Sequence, residues 1–309
     1  FLKVVVNIKK IILFLMTFLI IFNINISPSY SDVKKNYDVE AKQDLLILML
    51  SYPKHITNIE KEDNKIYCVF KSGKKILYDD KLEKTQEEKF ANSDLQDVLE
   101  EYYPLNKNTV LMDKDFNPGR CRNYALLEEV YGNSKQKIEK NLVNLKCGYA
   151  NYQFNSCNSA NIALDNTLKE LLELSKTDGK ISNILYPGSG TFNYRLISGT
   201  NRLSPHSFGI AIDLKSDKKD YWKWSSKENG EKRINEYPEE LVKIFEENNF
   251  IWGGKWGYFD ILHFEYRPEI ILKAKFFSEY NENNKWYEGA PTDDEYTKKC
   301  IEIIENALE

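Results

Sequence analysis

The spacing of hydrophobic positions changes several times along the chain, and each change marks a new element. Residues 56–78 alternate: Ile56 to Ile59, then Lys65 to Phe70 and Lys75 to Tyr78 around a Lys71-Ser72-Gly73-Lys74 turn. Alternation across a Ser-Gly turn predicts a β-hairpin. From residue 93 the period becomes helical. Leu95, Val98, Leu99 and Tyr102 share one face, Ser93 and Gln96 form a capping box, and Pro104 is the stop. Further helices are predicted over 123–131, ended by Gly132, and over 134–146. Ser159 is expected to cap a longer helix carrying Ile162, Leu168, Leu171, Leu172 and Leu174, which closes at Gly179.

Residues 184–214 are rich in Gly, Ser and short apolar runs, as strands and loops are. Pro238 opens a helix with Glu239 and Glu240 in its first turn, where the helix dipole favours acids. Residues 250–267 return to strand and loop, and Thr292 with Glu295 caps a terminal helix bearing Ile301, Ile304 and Leu308. Helices and strands come in runs rather than in alternation, which predicts an α+β fold and not a parallel βαβ sheet.

The first thirty residues stand outside this pattern. Lys3, Lys9 and Lys10 precede an apolar run from Ile11 to Phe22, and Ser29-Tyr30-Ser31 offers a small-x-small cleavage pattern. This reads as a signal peptide over 1–31, cleaved after Ser31. The alternative is an uncleaved anchor, which the run falls short of, since a spanning helix takes about 20 apolar residues. The expected location is therefore periplasmic or extracellular, with the membrane touched only through this segment if it is kept. Export also changes the charge. The whole chain has 43 basic and 47 acidic residues, but segment 1–31 carries three Lys and no acid, so the remaining 278 residues have a net charge of −7. An acidic chain of this kind gives nucleic acid no basic surface to bind. Its 42% hydrophobic and 29% charged content excludes a disordered or polytopic membrane protein.

The five cysteines (Cys68, Cys121, Cys147, Cys157, Cys300) are irregularly spaced with no C-x-x-C, which supports neither a zinc knuckle nor a thioredoxin motif. Outside the cytoplasm one or two disulfides are open to them, Cys147 and Cys157 being the closest pair in sequence. An odd count leaves at least one thiol free.

Imidazole chemistry has a short list: His55, His206 and His263. His55 reads as a surface residue without an acidic or Cys partner at ligand spacing. The other two lie in the segments Ser204-Pro-His206-Ser-Phe-Gly209-Ile-Ala-Ile-Asp213 and Trp252-Gly-Gly-Lys-Trp256-Gly-Tyr-Phe-Asp260-Ile-Leu-His263-Phe-Glu-Tyr266. Asp213 is the one charge in a short apolar strand, where a carboxylate is costly unless paired or coordinating. Two imidazoles and one carboxylate make a three-ligand set of the kind catalytic zinc uses. Asp260 is the candidate base; its rival role is to orient a His ligand. On a straight strand Asp260 and His263 would face opposite ways, so Asp260 is expected in a turn leading into the strand. Glu265 shares parity with His263 and reads as structural or as an orienting carboxylate. Four of the five Trp (222, 224, 252, 256) surround these motifs, as core or as a wall of the cleft.

The pattern S-x-H-x-x-G-x-A-x-D followed by D-x-x-H resembles the peptidase M15 family, the VanY-like D-Ala-D-Ala carboxypeptidase and L-Ala-D-Glu endopeptidase group. Ser204, His206, Gly209, Ala211 and Asp213 match the first motif, and Asp260 and His263 the second. The likeness covers roughly 160–272, and Pro118-Gly119-Arg120 and Val130-Tyr131-Gly132 look like one exported branch. The resemblance implies one Zn2+ per chain on His206, Asp213 and His263, with Asp260 as general base. It also implies an Arg that holds substrate or the developing oxyanion, Arg195 first and Arg202 second. The implied fold is the hedgehog/D-Ala-D-Ala-peptidase-like α+β domain, a small antiparallel sheet with helices. The chain then divides into the signal peptide (1–31), a β-containing segment (32–90), a helical segment (91–155), an M15-like zinc peptidase domain (156–275) and a C-terminal helical tail (276–309). The implied activity is hydrolysis of peptide bonds in peptidoglycan stem peptides by a monomer. The alternative is a non-catalytic, zinc-containing cell-wall or protein-binding module of the same fold.

Overall fold

Residues 36–107, 109–188, 190–279 and 283–309 are described by a computed structural model, so the signal segment read over 1–31 lies outside the described residues. The first helix, α1 (Tyr37–Ser51), is one the hydrophobic pattern does not announce. Ala41 and the whole run Leu45 to Leu48 are buried, together with Gln43 and Asp44, so no polar face marks a helical period. A three-stranded antiparallel sheet follows, in the order β1 (Ile56–Glu62), β2 (Lys65–Phe70), β3 (Lys75–Leu77). Two short helices come next, α2 (Gln86–Ala91) and α3 (Leu95–Leu99). The cap of α3 is Asp94, boxed with Asp97, and not Ser93. The Ser93 hydroxyl donates to the Lys89 carbonyl instead.

Asn123 caps α4 (Tyr124–Tyr131), and Ser134 caps α5 (Lys135–Asn141). The helix expected to run to residue 146 stops at 141. Residues 142–147 are a strand, β4 (Leu142–Cys147), paired in a hairpin with β5 (Ala150–Asn155). Six residues of Leu-Val-Asn-Leu-Lys-Cys fit either period, and only the pairing with β5 decides between them. Next come α6 (Ala160–Ser175) and α7 (Gly179–Leu185). Gly179 opens α7 rather than closing α6, because the Asp178 side chain accepts from the N–H groups of Lys180 and Ile181.

The second three-stranded sheet is built from β6 (Ala211–Asp213), β7 (Phe250–Trp252) and β8 (His263–Tyr266), antiparallel in the order β6-β8-β7. Between β6 and β7 lie α8 (Lys227–Glu236) and α9 (Glu239–Glu247). Helix α8 buries only Gly230 and Ile234. Phe264 of β8 stacks on Phe245 of α9 with ring centroids 3.9 Å apart, fixing the apolar face of the sheet to the core. The chain ends in α10 (Pro268–Phe277) and α11 (Glu295–Leu308), both packed on α1. Asp294 caps α11, two residues after the expected Thr292, by accepting from the Thr297 N–H.

Residues Asn36–Glu309 form one compact unit, so the described parts of the four segments after the signal region share a core. All five cysteines are free thiols. The Cys147 sulfur lies against the Leu168 carbonyl and the Tyr186 hydroxyl rather than against Cys157. Among the described residues no helix is long and apolar enough to cross a membrane.

Candidate metal centre

A short 3-10 turn, Pro205–Phe208, carries His206 and ends at Gly209, whose φ of +67° favours glycine. A Cβ at Gly209 would also stand 2.7 Å from Leu142 Cδ2, so the turn lies hard against β4. The chain then enters β6, where the register sets Asp213 opposite His263 and Ala211 opposite Glu265. Directly opposed residues in an antiparallel pair share a face, and so do residues two apart on a strand. Asp213, His263 and Glu265 therefore project to one side. Ile212, Phe264 and Trp252 turn to the other side, into the core.

His206 completes the group from beside the sheet. Its Nε2 lies 3.2 Å from Asp213 Oδ1 and 3.3 Å from His263 Nδ1, and His263 Nδ1 is 3.0 Å from Asp213 Oδ1. Ligands held tetrahedrally at 2.0–2.1 Å from one ion stand about 3.3 Å apart, so these three donor atoms fit a metal ion. The outer ring nitrogens agree. His206 Nδ1 is 2.6 Å from the Thr191 carbonyl, which can only accept, so this nitrogen carries the proton and Nε2 offers its lone pair. His263 Nε2 faces Glu265 Oε2 at 3.7 Å, which turns the His263 Nδ1 lone pair toward Asp213 and His206. Burial pushes the Asp213 carboxyl up, but its bonds to the two imidazoles more than offset this and hold it well below the ordinary range. Burial likewise lowers His263, yet Asp213 and Glu265 raise it to about 9.

Glu265 is itself anchored. Arg122 grips it with Nε 2.9 Å from Oε1 and Nη2 on Oε2, and Arg267 Nη1 lies 3.4 Å from Oε1. Arg267 continues to Glu269, which accepts from the Tyr52 hydroxyl at 2.7 Å. A buried chain of charges thus joins the end of α1 to the back of His263.

Asp260 bridges to Tyr221 and precedes the two-residue turn that enters β8, as the parity argument requires. Its carboxyl makes no hydrogen bond or ion pair among the described residues. Burial raises it to about 6; His263, His206 and Arg120 pull it down, and the Asp213 charge adds to the rise. It is therefore a carboxylate close to the three donors and free to exchange a proton.

Arg195 and Arg202 lie at the two ends of a small hairpin closed by a Leu196–Leu203 bridge. The backbone of Arg195 is clamped by Ser207, next to His206, and its side chain is exposed. Arg202 is half-buried near Tyr124. Trp252 and Trp256 are buried, with the Trp256 ring 5.7 Å from that of His263, whereas Trp224 is 77% exposed. His55 is half-buried and belongs to none of these groups.

Two residues at the site escape motif reasoning, Arg120 and Arg122. The segment 113–122 is strapped across the loop after β7. A Cβ at Gly257 would stand 2.0 Å from the Asp113 carbonyl, the Gly257 N–H bonds the Phe116 carbonyl at 2.8 Å, and Trp256 Nε1 bonds that of Pro118 at 2.8 Å. Arg122 reaches Glu265 from this strap, and Arg120 lies in the field of Asp260. The one sequence signal was Pro118-Gly119-Arg120, far from either motif.

Two imidazoles and a carboxylate converge within hydrogen-bond distance, with a further carboxylate alongside, in a group that could hold a metal ion. Residues 198–266, which carry every one of these groups, match the model of a peptidase M15 family described as D-alanyl-D-alanine carboxypeptidase. Over this segment of 69 of the 309 residues the chain is similar to the M15 peptidases. No curated protein and no solved structure matches the chain.

Proposed function

We propose that the protein is an exported zinc metallopeptidase that hydrolyses peptide bonds in peptidoglycan stem peptides, as a D,D-carboxypeptidase or an L-Ala-D-Glu endopeptidase. The observation that carries this reading is the mutual approach of His206, Asp213 and His263 to 3.0–3.3 Å with Asp260 beside them. His206, Asp213 and His263 would hold the ion in a domain of hedgehog/D-Ala-D-Ala-peptidase-like type. When bound, zinc acts as a Lewis acid that polarises a carbonyl and acidifies water. Asp260 takes the proton from the attacking water and returns it to the leaving amine as the C–N bond breaks. Arg195 stabilises the negative charge that develops on the carbonyl oxygen. Glu265 keeps the His263 ring in one orientation throughout. The protein acts as a monomer after export.

Freshly purified protein should contain about one zinc per chain, and His206→Ala and His263→Ala should each lose it. Defined muropeptides should yield free D-Ala or cleaved stems. Absence of bound metal refutes the reading. Bound metal with retained muropeptide and no product favours the binding-module alternative instead.

A further inference from the structure

Arg120 is a half-buried cation beside the site that no carboxylate of the described residues meets in an ion pair. Arg122 and Arg267 both have carboxylate partners, and Arg233 has Asp220. Arg120 has none within ion-pair distance among the described residues. Its guanidinium touches only neutral acceptors, Asn117 Oδ1 and the Tyr258 carbonyl, both at 3.4 Å. It lies among three rings, 5.1 Å from Phe90, 4.8 Å from Tyr258 and 5.7 Å from Trp256. Burial pulls its pKa down to about 10, the mark of a cation short of counter-charge, yet the residue keeps some exposure to solvent. A buried cation in this state is costly unless a ligand brings the anion.

Its position says which anion. The Trp256 ring lies 5.7 Å from Arg120 and 5.7 Å from the His263 ring, so a single indole separates the guanidinium from a metal ligand. Arg120 and Asp260 feel each other's charge without forming an ion pair. In the proposed reaction Asp260 hands its proton to the leaving amine. In a C-terminal residue, the carboxylate oxygens lie roughly 3 Å from that same nitrogen, across three bonds. Arg120 reaches the Tyr258 carbonyl at 3.4 Å, two residues before Asp260, so the guanidinium stands on the Asp260 side of the site, where such a carboxylate would lie.

We propose that Arg120 is the receptor for a free α-carboxylate on the leaving-group side of the scissile bond, which makes the protein selective for C-terminal residues. This rests on the hydrolytic reading above and decides between its exo- and endo-acting forms. Arg195 remains on the side of the carbonyl, so the two arginines have different partners. Arg120 lies outside the segment that matches the family, and its role is fixed by the strap that carries it.

The test compares diacetyl-L-Lys-D-Ala-D-Ala with its C-terminal amide, using the full chain loaded with zinc. Binding is measured by calorimetry in the Asp260→Asn background, and kcat and KM are measured with Asp260 intact. The acid should bind about 30-fold or more tighter than the amide, as expected of a charge-assisted bidentate contact. Arg120→Gln should abolish that preference by weakening the acid alone, mostly in KM, with zinc content unchanged. Arg120→Lys should restore part of it. Equal loss for acid and amide, or a preference that survives Arg120→Gln, overturns the proposal. Should Arg120→Gln fail to fold, absence of acid preference in the parent protein overturns it equally well. The two readings fail separately. Acid-selective binding without any product removes the peptidase and keeps the carboxylate site; turnover of acid and amide alike does the reverse.

Discussion

Replacing Arg122 by Met would leave Glu265 buried beside His263 with its main counter-charge gone. Arg122 and Glu265 are 9% and 0% exposed at their side chains, and the pair is bidentate. Removing one partner of a buried pair costs about 3–5 kcal/mol, since the other charge stays behind unpaired. Arg267 stands 3.4 Å from the same carboxylate and takes over part of the work, so the loss should be near the lower end, about 3 kcal/mol. Glu265→Gln leaves the buried Arg122 guanidinium without its carboxylate and should cost a similar amount, about 3 kcal/mol. In the double variant the two losses should not add, because Gln needs no cation. It should be at least about 1 kcal/mol more stable than additivity gives. Urea unfolding of the metal-free protein measures these terms, and zinc competition against a chelator measures the site. Loss of the carboxylate that orients His263 should weaken zinc by about 10- to 100-fold. The pH dependence has a defined sign. Burial raises Glu265, but Arg122, His263 and Arg267 together hold it well below its ordinary value of 4.5. The unfolded chain therefore binds the proton first, so this stability is present above pH 4.5 and is lost as the pH falls below it. Glu265→Gln should flatten that acid limb. Additive losses together with unchanged zinc affinity would show that Arg122, Glu265 and His263 do not act as a unit.

Asp260→Asn should keep zinc and lose about 100- to 10,000-fold in kcat, the range of a general base. With Asp260 raised to about 6, kcat/KM should fall as the pH drops through 6 or somewhat lower, since a bound cation favours the ionised form. The same substitution should stabilise the metal-free protein near pH 8, by up to about 3 kcal/mol, as it removes a buried charge whose pKa stands at about 6 against 3.8. Gly257→Ala meets the Asp113 carbonyl at 2.0 Å and should destabilise by about 1–3 kcal/mol, with weakened acid selectivity because the strap carries Arg120. Glu101 is raised to about 7 by burial, so its contribution is full below pH 4.5 and is lost as the pH rises through 7; Glu101→Gln should flatten that fall in a melting series.

The grouping of His206, Asp213 and His263 was legible because each lies in a short motif whose local physics is strong. Gly209 must turn, Asp213 is a lone charge in an apolar strand, and parity forces Asp260 into a turn ahead of His263. The chain elsewhere follows rules that periodicity does not express. Helix α1 is buried on every side, α8 on almost none, and β4 is too short for its period to decide. The caps at Asp94 and Asp294 fall one and two residues from the positions pattern suggests, because a rival hydroxyl or carboxylate is equally well placed in sequence. Arg120 and Arg122 were out of reach for a different reason. What brings them to the site is the close passage of residues 113–118 over Gly257, a contact across about 140 residues that no local spacing encodes.

Asp260 also favours the proposed hydrolytic role over that of a structural ion. A structural ion needs donors and a shell that orients them, and Thr191, Glu265 and Arg122 already supply that shell for the two imidazoles. Asp260 adds nothing to it, since its carboxyl bonds neither His206 nor His263. It is instead a buried acid without a hydrogen-bond partner among the described residues, held near pH 6 by burial at a cost to folding. Two neighbouring carboxylates, Asp213 far below the ordinary range and Asp260 well above it, are thus driven apart by their surroundings. One stays ionised to hold a cation, and the other can give and take a proton near neutrality. A module that only bound its target would gain stability by losing Asp260, whereas a hydrolase cannot dispense with it.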